Sequence, residues 1–406
     1  MKRINVLHIN TSGLGGAAIA CHRLHNLFLN YGISSSVLHL YDNALNNDNY
    51  YTLGYKRIRR VANHFIYKIS TSDLTPDAYV FSEFAPLSSS VSKHELVKKA
   101  DVIYLHWVVG GFLSKSDFIE LAKLGKPIFC FTHDMWWITG GCHYSFDCEQ
   151  YKTGCYCCPR HKYISLFSRI QARWKKTFYG RFKNIHFISP SEWMKNCIEA
   201  SFVLDKGRST HIPNVVPDSI FKKIDKKLAR EMLSLPQDKI IISFGTADNS
   251  NSVKGFRYLK EALSKIDDDN IVLCIYGDED DLQKLDGISI PIISLGKLHN
   301  QNKVALANAA SDLFISPTLA ESFGLTLLEN IKCGTPVIST NITAVPEIVQ
   351  NNVSGYLIEP KSSKELLDAI QNFISKPLII TGEFDDKFRD ENIINKHLDL
   401  ISKALK

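Results

Sequence analysis

The residues best suited to chemistry in this sequence are two glutamates, Glu321 and Glu329. They flank a predicted junction at which a strand, Leu313–Ser316, ends and a helix begins near Phe323 or Gly324. Glu321 is therefore expected in the loop and Glu329 in the second helical turn. Carboxylates accept charge-assisted hydrogen bonds, so the pair could hold two ends of an elongated ligand rich in hydroxyl groups. The simpler alternative is a solvated glutamate near a helix start, where the helix dipole favours it.

The first backbone amides of this helix, at Gly324 and Leu325, are a second candidate for ligand contact. N–H groups at a helix start lack partners within the helix and favour anions such as phosphate. The pair Lys254–Gly255 follows another predicted strand, Ile240–Gly245, and could add a positive charge to a phosphate. An exposed lysine is usually only solvated, so this pair gains meaning from the glutamates.

A glycine-rich turn follows the first predicted strand, Asn5–Ile9, and precedes a predicted helix, Ala17–Leu29. Gly15 and Gly16 in this turn would let backbone amides approach a phosphate closely. The spacing departs from G-x-G-x-x-G, so an intact dinucleotide-binding fingerprint is absent. A tight strand-to-helix turn without a ligand explains these glycines equally well.

Strand-like runs alternate with helical patterns along the chain, which predicts parallel sheets with helices on both faces. Two sheets of five or six strands fit the length better than one sheet of ten. The predicted strands are Asn5–Ile9, Ser36–Leu40, Val102–His106, Ile128–Thr132, Ile185–Ser189, Ile240–Gly245, Ile271–Gly277, Ile292–Leu295, Leu313–Ser316 and Pro336–Ser339.

Two prolines in the segment His211–Pro217 mark the expected boundary between two domains, since neither fits a continuous strand or helix. An N-terminal Rossmann-like domain is expected over residues 1–213, with a cysteine-rich insert at 140–160. A second Rossmann-like domain is expected over 214–385. The remaining segment, 386–406, is a candidate helix that packs back on the first domain.

The composition is that of an ordinary globular protein and excludes collagen-like, disordered and miniature disulfide-rich proteins. The chain has 406 residues, of which 45% are apolar and 22% charged. No apolar run approaches the roughly 18 residues of a membrane span, and polar residues interrupt the first strand too early for a signal peptide. We therefore expect a cytoplasmic protein with reduced cysteines.

The net charge of +6 conceals an asymmetry between the two halves of the chain. Residues 1–213 carry 26 Lys and Arg against 15 Asp and Glu, a net charge of +11. Residues 214–406 carry 22 against 27, a net charge of −5. The first half is therefore expected to meet an acidic partner.

Five of the ten cysteines lie between Cys142 and Cys158. In a reducing compartment this density favours a metal over disulfides. Four thiolates complete a tetrahedral zinc site, which is structural because no ligand position stays open. Reduced cysteines packed in a long loop are one alternative, and a redox or iron–sulfur role is another. The candidate ligands are Cys142, Cys148, Cys155 and Cys158, with Cys157 or His143 as substitutes.

A basic stretch runs from Gln150 to Ser191, with nine Lys and Arg and no Asp or Glu, and a second basic cluster is Lys56–Arg60. Basic helices with aromatic residues suit an anionic membrane surface. The alternative is an apolar stripe that packs on the first domain, with the basic side chains solvated. The stripe at helical spacing is Tyr163, Leu166, Phe167, Ile170, Trp174 and Phe178. The basic residues placed on other faces are Arg169, Arg173, Lys175 and Lys176.

Together these motifs resemble the retaining GT-4 glycosyltransferases of the GT-B fold. The likeness is densest over residues 311–358, and the cysteine-rich block looks like one found in a subset of bacterial polysaccharide glycosyltransferases. The matching segments, in chain order, are Gly15–Gly16, Ile212–Asn214, Lys254–Gly255, Ser316–Pro317, Glu321, Phe323–Gly324, Glu329, Cys333–Ile338, Val345–Glu347 and Gly355.

The resemblance implies two Rossmann-like domains facing a central cleft, the second binding a nucleotide-diphosphate sugar and the first an acceptor. It implies that Glu329 holds the ribose, Glu321 the donor sugar and Lys254 the diphosphate. His133, after the predicted strand Ile128–Thr132, resembles the family's histidine that faces the donor sugar. The implied catalytic residues are Glu321, His133 and Lys254. The implied donor-binding residues are Gly15, Gly16, Lys254, Phe323, Gly324, Leu325 and Glu329.

The implied reaction moves a sugar, with retention, to a growing surface oligosaccharide or polysaccharide precursor that a lipid carrier could hold. Lys254 and the amides at Gly15 and Gly16 would stabilise the leaving diphosphate, so no cofactor or divalent metal is required for catalysis. Peripheral contact with an anionic membrane, at the inner face of the plasma membrane, is expected. No nucleic-acid partner is expected.

One departure concerns the diphosphate, because many relatives carry an arginine shortly before the lysine and residues 245–253 here contain none. Arg257 or Lys297 would have to supply the second cation. The alternatives are a transferase acting on a small soluble acceptor, an epimerase or phosphorylase on the same fold, and a non-catalytic nucleotide-sugar or nucleic-acid binder. The block around Glu321 and Glu329 disfavours the epimerase and is unexplained by a nucleic-acid binder. A phosphorylase lacks a candidate lysine for pyridoxal phosphate.

Overall fold

The chain divides into two compact units, residues 1–215 with 390–406, and residues 216–389. The first division lies two residues after the expected boundary at 213, and the last helix is grouped with the first unit. The computed structural model describes residues 4–41, 48–54, 56–71, 81–160, 166–246, 252–277, 285–381 and 385–406. Tyr163 of the predicted stripe and residues 247–251 before Lys254 lie outside these ranges.

The strands are short and mostly buried. In chain order they are β1 Asn5–Asn10, β2 Ser34–His39, β3 Tyr50–Thr52, β4 Val102–Leu105, β5 Ile128–Phe131, β6 Ile185–Ser189, β7 Ser209–His211, β8 Ile240–Thr246, β9 Ile271–Gly277, β10 Ile292–Ser294, β11 Leu313–Ser316, β12 Val337–Thr340 and β13 Gly355–Ile358.

The helices alternate with these strands. In chain order they are α1 Gly16–Asn30, α2 Arg57–Thr71, α3 Glu95–Lys99, α4 Lys115–Lys123, α5 Leu166–Arg181, α6 Glu192–Ala200, α7 Lys226–Met232, α8 Phe256–Leu263, α9 Gln301–Ala310, α10 Leu325–Cys333, α11 Ser363–Ser375 and α12 Asp390–Ala404. None of those in the described ranges has the length and apolar character that a bilayer crossing needs.

The first unit is built on a parallel sheet with the strand order β3-β2-β1-β4-β5-β6-β7. Every residue of the central strands β4 and β5 is buried, as expected of strands covered on both faces. Helix α12 belongs to this unit, where Ile393 and Ile394 join the same apolar cluster as Phe28 of α1. The ring of His397 on α12 is hydrogen-bonded to the hydroxyl of Tyr104 on β4 at 3.1 Å.

The second unit is built on a six-stranded parallel sheet with the order β10-β9-β8-β11-β12-β13. Its central strands β11 and β12 are buried throughout. The strand order reverses at β8, since β8 pairs with β9 on one side and with β11 on the other. In open α/β sheets, ligands bind at the carboxyl ends of the strands next to such a reversal.

All ten predicted strands are present, with ends that shift by two residues at most. Three short strands, β3, β7 and β13, were missed, so the first sheet has seven strands and the expectation of five or six is wrong there. All three lie at sheet edges, and β7, Ser209–His211, contains no aliphatic residue. A short polar edge strand such as β7 carries little of the apolar pattern by which a strand is recognised.

Candidate functional site

The loop between β11 and α10 is fixed by hydrogen bonds to the turn that precedes α8. The carbonyl of Val253 accepts from the backbone N–H of Leu319 at 2.7 Å and from the hydroxyl of Thr318 at 3.1 Å. On the other side, the hydroxyl of Thr340 in β12 donates to the carbonyl of Thr318. The loop is therefore held between two neighbouring parts of the sheet edge and does not depend on a ligand for its shape.

Gly255 explains why a glycine follows the lysine of this turn. Its φ of +69° lies in the left-handed region, and it forms the N-terminal cap of α8. A Cβ atom at this position would lie 1.8 Å from the carbonyl oxygen of Pro317. Only glycine lets the turn approach the loop this closely, and this approach brings Lys254 to the loop.

Lys254 and Glu321 are in direct contact. The ammonium of Lys254 donates to a carboxylate oxygen of Glu321 at 2.5 Å, and the side chains are 34% and 12% exposed. The backbone N–H of Glu321 donates to the hydroxyl of Thr343 at 2.9 Å, which fixes the backbone from which the carboxylate extends. The arrangement offers a partly exposed cation for an anionic ligand beside a carboxylate that can accept from hydroxyl groups.

Helix α10 begins at Leu325 after Gly324, its cap residue, whose φ is +101° and which has no side chain to cap the helix. The first amides of the helix, beginning at Leu325, thus have no capping side chain at the end of the loop that carries Glu321. The ring of Phe323 is buried and meets Phe388 with ring centroids 5.9 Å apart. Phe323 therefore anchors the helix start in the core, and only its backbone could touch a ligand.

Glu329 lies on the second turn of α10, as predicted, and it is buried. Burial raises the pKa of Tyr276 on β9, and the charge of Glu329 raises it further. The pKa of Cys333, on the next turn of α10, is likewise raised first by burial and then by the charge of Glu329. Glu329 thus interacts electrostatically with both side chains, and its own burial shows that the alternative of a solvated glutamate is wrong.

The glycine turn of the first unit opens helix α1. Gly15 has a φ of +90° and caps the helix without a side chain. A Cβ atom on Gly15 or Gly16 would meet no atom within 4 Å. Crowding inside the protein therefore does not require glycine at position 16, and the open space leaves these amides accessible to a ligand.

His133 follows β5 and belongs to a row of three hydrogen-bonded histidines. Its Nε2 is 2.8 Å from Nδ1 of His106, and Nε2 of His106 is 2.9 Å from Nδ1 of His8. The rings of His106 and His133 are stacked, with centroids 5.1 Å apart. Burial lowers the pKa of His133 to about 4, although the neighbouring Asp134 acts in the opposite direction. His133 is therefore neutral at pH 7 and is positioned by His106.

Sequence reasoning identified His133 and missed His8 and His106. The available signal was a histidine inside β1 and another directly after β4, since polar residues in buried parallel strands are uncommon. Asp134 was also missed. It accepts a 2.5 Å hydrogen bond from the ring of His143, whose other nitrogen is 2.9 Å from the hydroxyl of Ser82. Both ring nitrogens of His143 are thus engaged.

The two substitutes proposed for the missing arginine lie in different settings. The guanidinium of Arg257 lies 4.5 Å from the ring centroid of Tyr258 and donates to its hydroxyl. Lys297, after β10, is exposed. Arg257 is therefore engaged by its neighbour on α8, and Lys254 is the cation that contacts the predicted site.

The predicted basic stretch includes helix α5, in which Trp174 and Phe178 of the predicted stripe pack inward while Leu166 and Ile170 are exposed. The rings of Trp174 and Phe178 stack with centroids 4.8 Å apart and contact the core of the first unit. Lys175 is completely buried and donates to the carbonyls of Trp136 and Thr139. The expectation that Lys175 is solvated is therefore wrong, because its aliphatic chain and ammonium both find partners inside the protein.

Comparison with known proteins finds a family match for most of the second unit. Residues 225–393 match the family model of the group 1 glycosyl transferases. Over 402 residues the chain is 24% identical to a protein of Escherichia coli K12 named as the colanic acid biosynthesis glycosyl transferase WcaC. This match covers 94% of this chain and 92% of that protein. It is 31% identical over 199 residues to N-acetyl-alpha-D-glucosaminyl L-malate synthase of Bacillus anthracis. That match covers 45% of this chain and about half, 51%, of the enzyme.

Solved structures show the same fold. Anabaena HepE, in complex with UDP-glucose, superposes with a TM-score of 0.67 at 19% identity and covers 98% of this chain and 100% of its own. The predicted fold class is confirmed, and the predicted glycosyltransferase likeness is confirmed at the level of a group 1 domain over residues 225–393. The chain carries a group 1 glycosyl transferase domain and has the GT-B fold of two Rossmann-like parallel-sheet domains.

Proposed function

We propose that this protein transfers a sugar from a nucleotide-diphosphate sugar to a lipid-linked oligosaccharide or polysaccharide precursor, with retention at the anomeric carbon. The observation that carries the proposal is the contact of Lys254 with Glu321 beside the uncapped start of α10. A cation, helix amides and a carboxylate are the groups that a diphosphate bonded to a sugar requires.

Donor binding would rearrange this contact. The diphosphate competes with Glu321 for the ammonium of Lys254, because it brings more negative charge to the same cation. Once released, the carboxylate of Glu321 accepts hydrogen bonds from sugar hydroxyls. Glu329, buried on α10, accepts from the ribose. The pair would thus serve as a resting state that the donor opens.

The same groups account for departure of the nucleotide without a catalytic metal. Negative charge grows on the diphosphate as the glycosidic bond breaks, and Lys254 with the α10 amides stabilises it where it develops. We infer retention from the family likeness, and front-face attack from the lack of a recognisable pair of nucleophiles for double displacement in the sequence. The acceptor hydroxyl would then attack from the face that the diphosphate leaves.

Helix α2 supports a membrane-borne acceptor. Ile58, Val61 and Phe65 repeat at helical spacing, and their exposed fractions are 69%, 62% and 68%. Exposed basic residues flank them, including Arg57 and Arg60, and residues 56–71 contain no Asp or Glu. An apolar face with a basic rim fits an anionic lipid surface. We therefore propose peripheral contact with an anionic membrane, at the inner face of the plasma membrane.

A small soluble acceptor is the second candidate. It is favoured by the likeness to N-acetyl-alpha-D-glucosaminyl L-malate synthase, whose name specifies a small acceptor. That likeness covers less than half of this chain, and it gives no role to the exposed face of α2.

A donor screen tests the proposal. The purified chain is incubated with a panel of UDP- and GDP-sugars, and nucleotide release is followed with and without a lipid extract that contains the acceptors. We expect turnover with one nucleotide sugar, an unchanged rate without added divalent cations, and an α-linked product from an α-linked donor by NMR. The proposal fails if no donor is consumed, and its retaining part fails if the product is inverted.

A further inference from the structure

In the cysteine-rich insert, residues 140–160, three thiols interact with a fourth, that of Cys158. The three are those of Cys142, Cys148 and Cys155. A hydrogen bond with Cys158 is the largest cause of the raised pKa of Cys142. Burial raises the pKa of Cys148, and it raises that of Cys155 to about 11, with Cys158 contributing in both cases. Four sulfurs that are spread over 17 residues therefore lie within electrostatic reach of one another.

The structure separates these four from the two substitute ligands. Cys157 is exposed, whereas the other four cysteines of the insert are buried or partly buried. His143 uses both ring nitrogens, one on Asp134 and one on Ser82. A metal would have to break these bonds to recruit the histidine, so the four thiols are the better donor set.

The insert has little regular structure to hold it. Its described elements include one short 3₁₀ turn, Gln150–Lys152. Cys155 has a φ of +56°, a left-handed conformation that costs a residue with a side chain on the order of 1 kcal/mol. Gly154, directly before it, has a φ of +104°. Such strain persists where surrounding bonds fix the chain, and a metal-bound sulfur would be one of them.

Two basic side chains interact with the same thiols. Arg160 interacts electrostatically with Cys142 and Cys148. The completely buried Lys175 interacts with Cys155. A zinc ion with four thiolates carries a net charge of −2, which is costly to bury alone, and positive charge on these two side chains would offset that cost.

We propose that Cys142, Cys148, Cys155 and Cys158 bind one zinc ion as a closed, structural site. Each thiol releases its proton to solvent as its sulfur takes a position on the metal, so four protons leave for each ion bound. Zinc would order the segment beside the predicted catalytic histidine, because the backbone N–H of Met135 donates to the carbonyl of His143 inside this loop.

A rival donor set lies in the core of the first unit. One ligand atom from each of His8, Cys21 and His106 lies within 4.8 Å of the others, and in the described part of the chain this is the one group of three donors that meets that distance. No three of the four sulfurs of the insert, all of which the structure describes, meet this distance, so zinc binding would have to draw them closer together. The rival set has two drawbacks: it offers three donors, and His106 already uses both ring nitrogens on His8 and His133.

Metal analysis of the full chain, purified without a His tag from zinc-supplemented cells, tests the proposal. We expect about one zinc per chain by mass spectrometry in the natural protein and in the matched control Cys157→Ser. The double variant Cys142→Ser/Cys158→Ser should hold less than about a tenth of that amount. The variant Cys21→Ser, which removes the rival set, should keep its zinc.

The proposal is overturned if the natural protein binds less than half an equivalent of zinc, or if Cys21→Ser loses the metal and the double variant keeps it. A Cys142–Cys158 disulfide found by mass spectrometry in protein prepared under reducing conditions would overturn it as well. If the double variant does not fold, cobalt(II) substitution of the natural protein decides. Four thiolates give intense sulfur-to-cobalt absorption, and weak absorption excludes the site.

Discussion

Lys254 and Glu321 lie 67 positions apart in the chain, yet the ammonium of one donates to the carboxylate of the other at 2.5 Å. The carboxylate is the more buried partner, so without the lysine it would face the loop uncompensated. The contact joins the turn before α8 to the loop after β11, which sequence reasoning treated as two separate motifs. Its position predicts that both residues act on the same ligand.

Replacing Glu321 by glutamine tests the role of its charge. Glutamine keeps the size of the side chain but accepts weaker hydrogen bonds from sugar hydroxyls and no longer pairs with Lys254. We expect kcat/KM for the nucleotide sugar to fall about 100-fold or more, which is typical for the loss of one group that stabilises the transition state. Steady-state kinetics with the donor found in the screen provide the measurement.

Glu261→Gln is the matched control for this experiment, because Glu261 is an exposed glutamate on α8 in the same unit. It should leave kcat/KM within about twofold of the natural value. Equal losses in both variants would mean that general charge, and not the position of Glu321, determines activity. Natural activity in Glu321→Gln would remove this residue from the site.

Gly255→Ala should destabilise the second unit. The alanine Cβ would lie 1.8 Å from the carbonyl oxygen of Pro317, so the turn or the loop must move, and the left-handed φ adds its own cost. We expect a loss of at least about 2 kcal/mol in the free energy of unfolding, with loss of donor binding because Lys254 shifts. Denaturant unfolding and donor titration measure the two effects.

Gly287→Ala separates crowding from backbone strain. Gly287 also has a left-handed φ, +90°, but a Cβ there would meet no atom within 4 Å. Strain alone should cost this variant about 1 kcal/mol and leave donor binding intact. A similar loss of unfolding free energy and of donor binding in both variants would show that the close approach to Pro317 does not determine the effect of Gly255→Ala.

The sequence predicted the parts of this molecule that depend on local pattern. Runs of Val, Ile and Leu located β11 and β12, and the loop that follows β11 placed Glu321 and Glu329 correctly on either side of the helix start. Such features follow from the backbone requirements of a buried strand and from glycine at a helix cap. Neighbours in sequence determine them.

The remainder depends on contacts between distant residues, which no local pattern encodes. The row formed by His8, His106 and His133 arises because β1, β4 and β5 are adjacent in the sheet, an order that the sequence alone did not supply. Lys175 was expected in solvent because it is a lysine on a basic helix. Its burial depends on two carbonyls, those of Trp136 and Thr139, which belong to another part of the unit.

Buried histidines predict that the protein loses stability in mild acid. Burial lowers the pKa of His25 and of His133 to about 4 and that of His397 to about 3, whereas an unfolded histidine titrates near 6.5. The unfolded chain therefore binds more protons below pH 6.5. This stabilisation is fully present above about pH 6.5 and falls with decreasing pH towards 4, by up to about 2 kcal/mol for each histidine at pH 5.

Denaturant unfolding between pH 8 and pH 5 measures this loss. His397→Gln removes one of the three groups and should reduce the decrease in stability between pH 7 and pH 5, whatever its effect at pH 8. His64→Gln is the control, since His64 is exposed on α2, and its pH dependence should equal that of the natural protein. A flat pH dependence in the natural protein would contradict the prediction.

The exposed face of α2 predicts binding to anionic lipid. Ile58→Ser/Phe65→Ser removes two apolar side chains that would enter the lipid surface, each of which contributes on the order of 1.5–3 kcal/mol when fully buried. We expect the natural protein to sediment with vesicles containing phosphatidylglycerol, less so at high salt, and the double variant to bind at least about tenfold more weakly. The control Leu166→Ser/Ile170→Ser changes two exposed apolar residues of α5 and should bind normally. Equal binding to neutral vesicles, or an equal loss in the control, would assign the attraction to something other than α2.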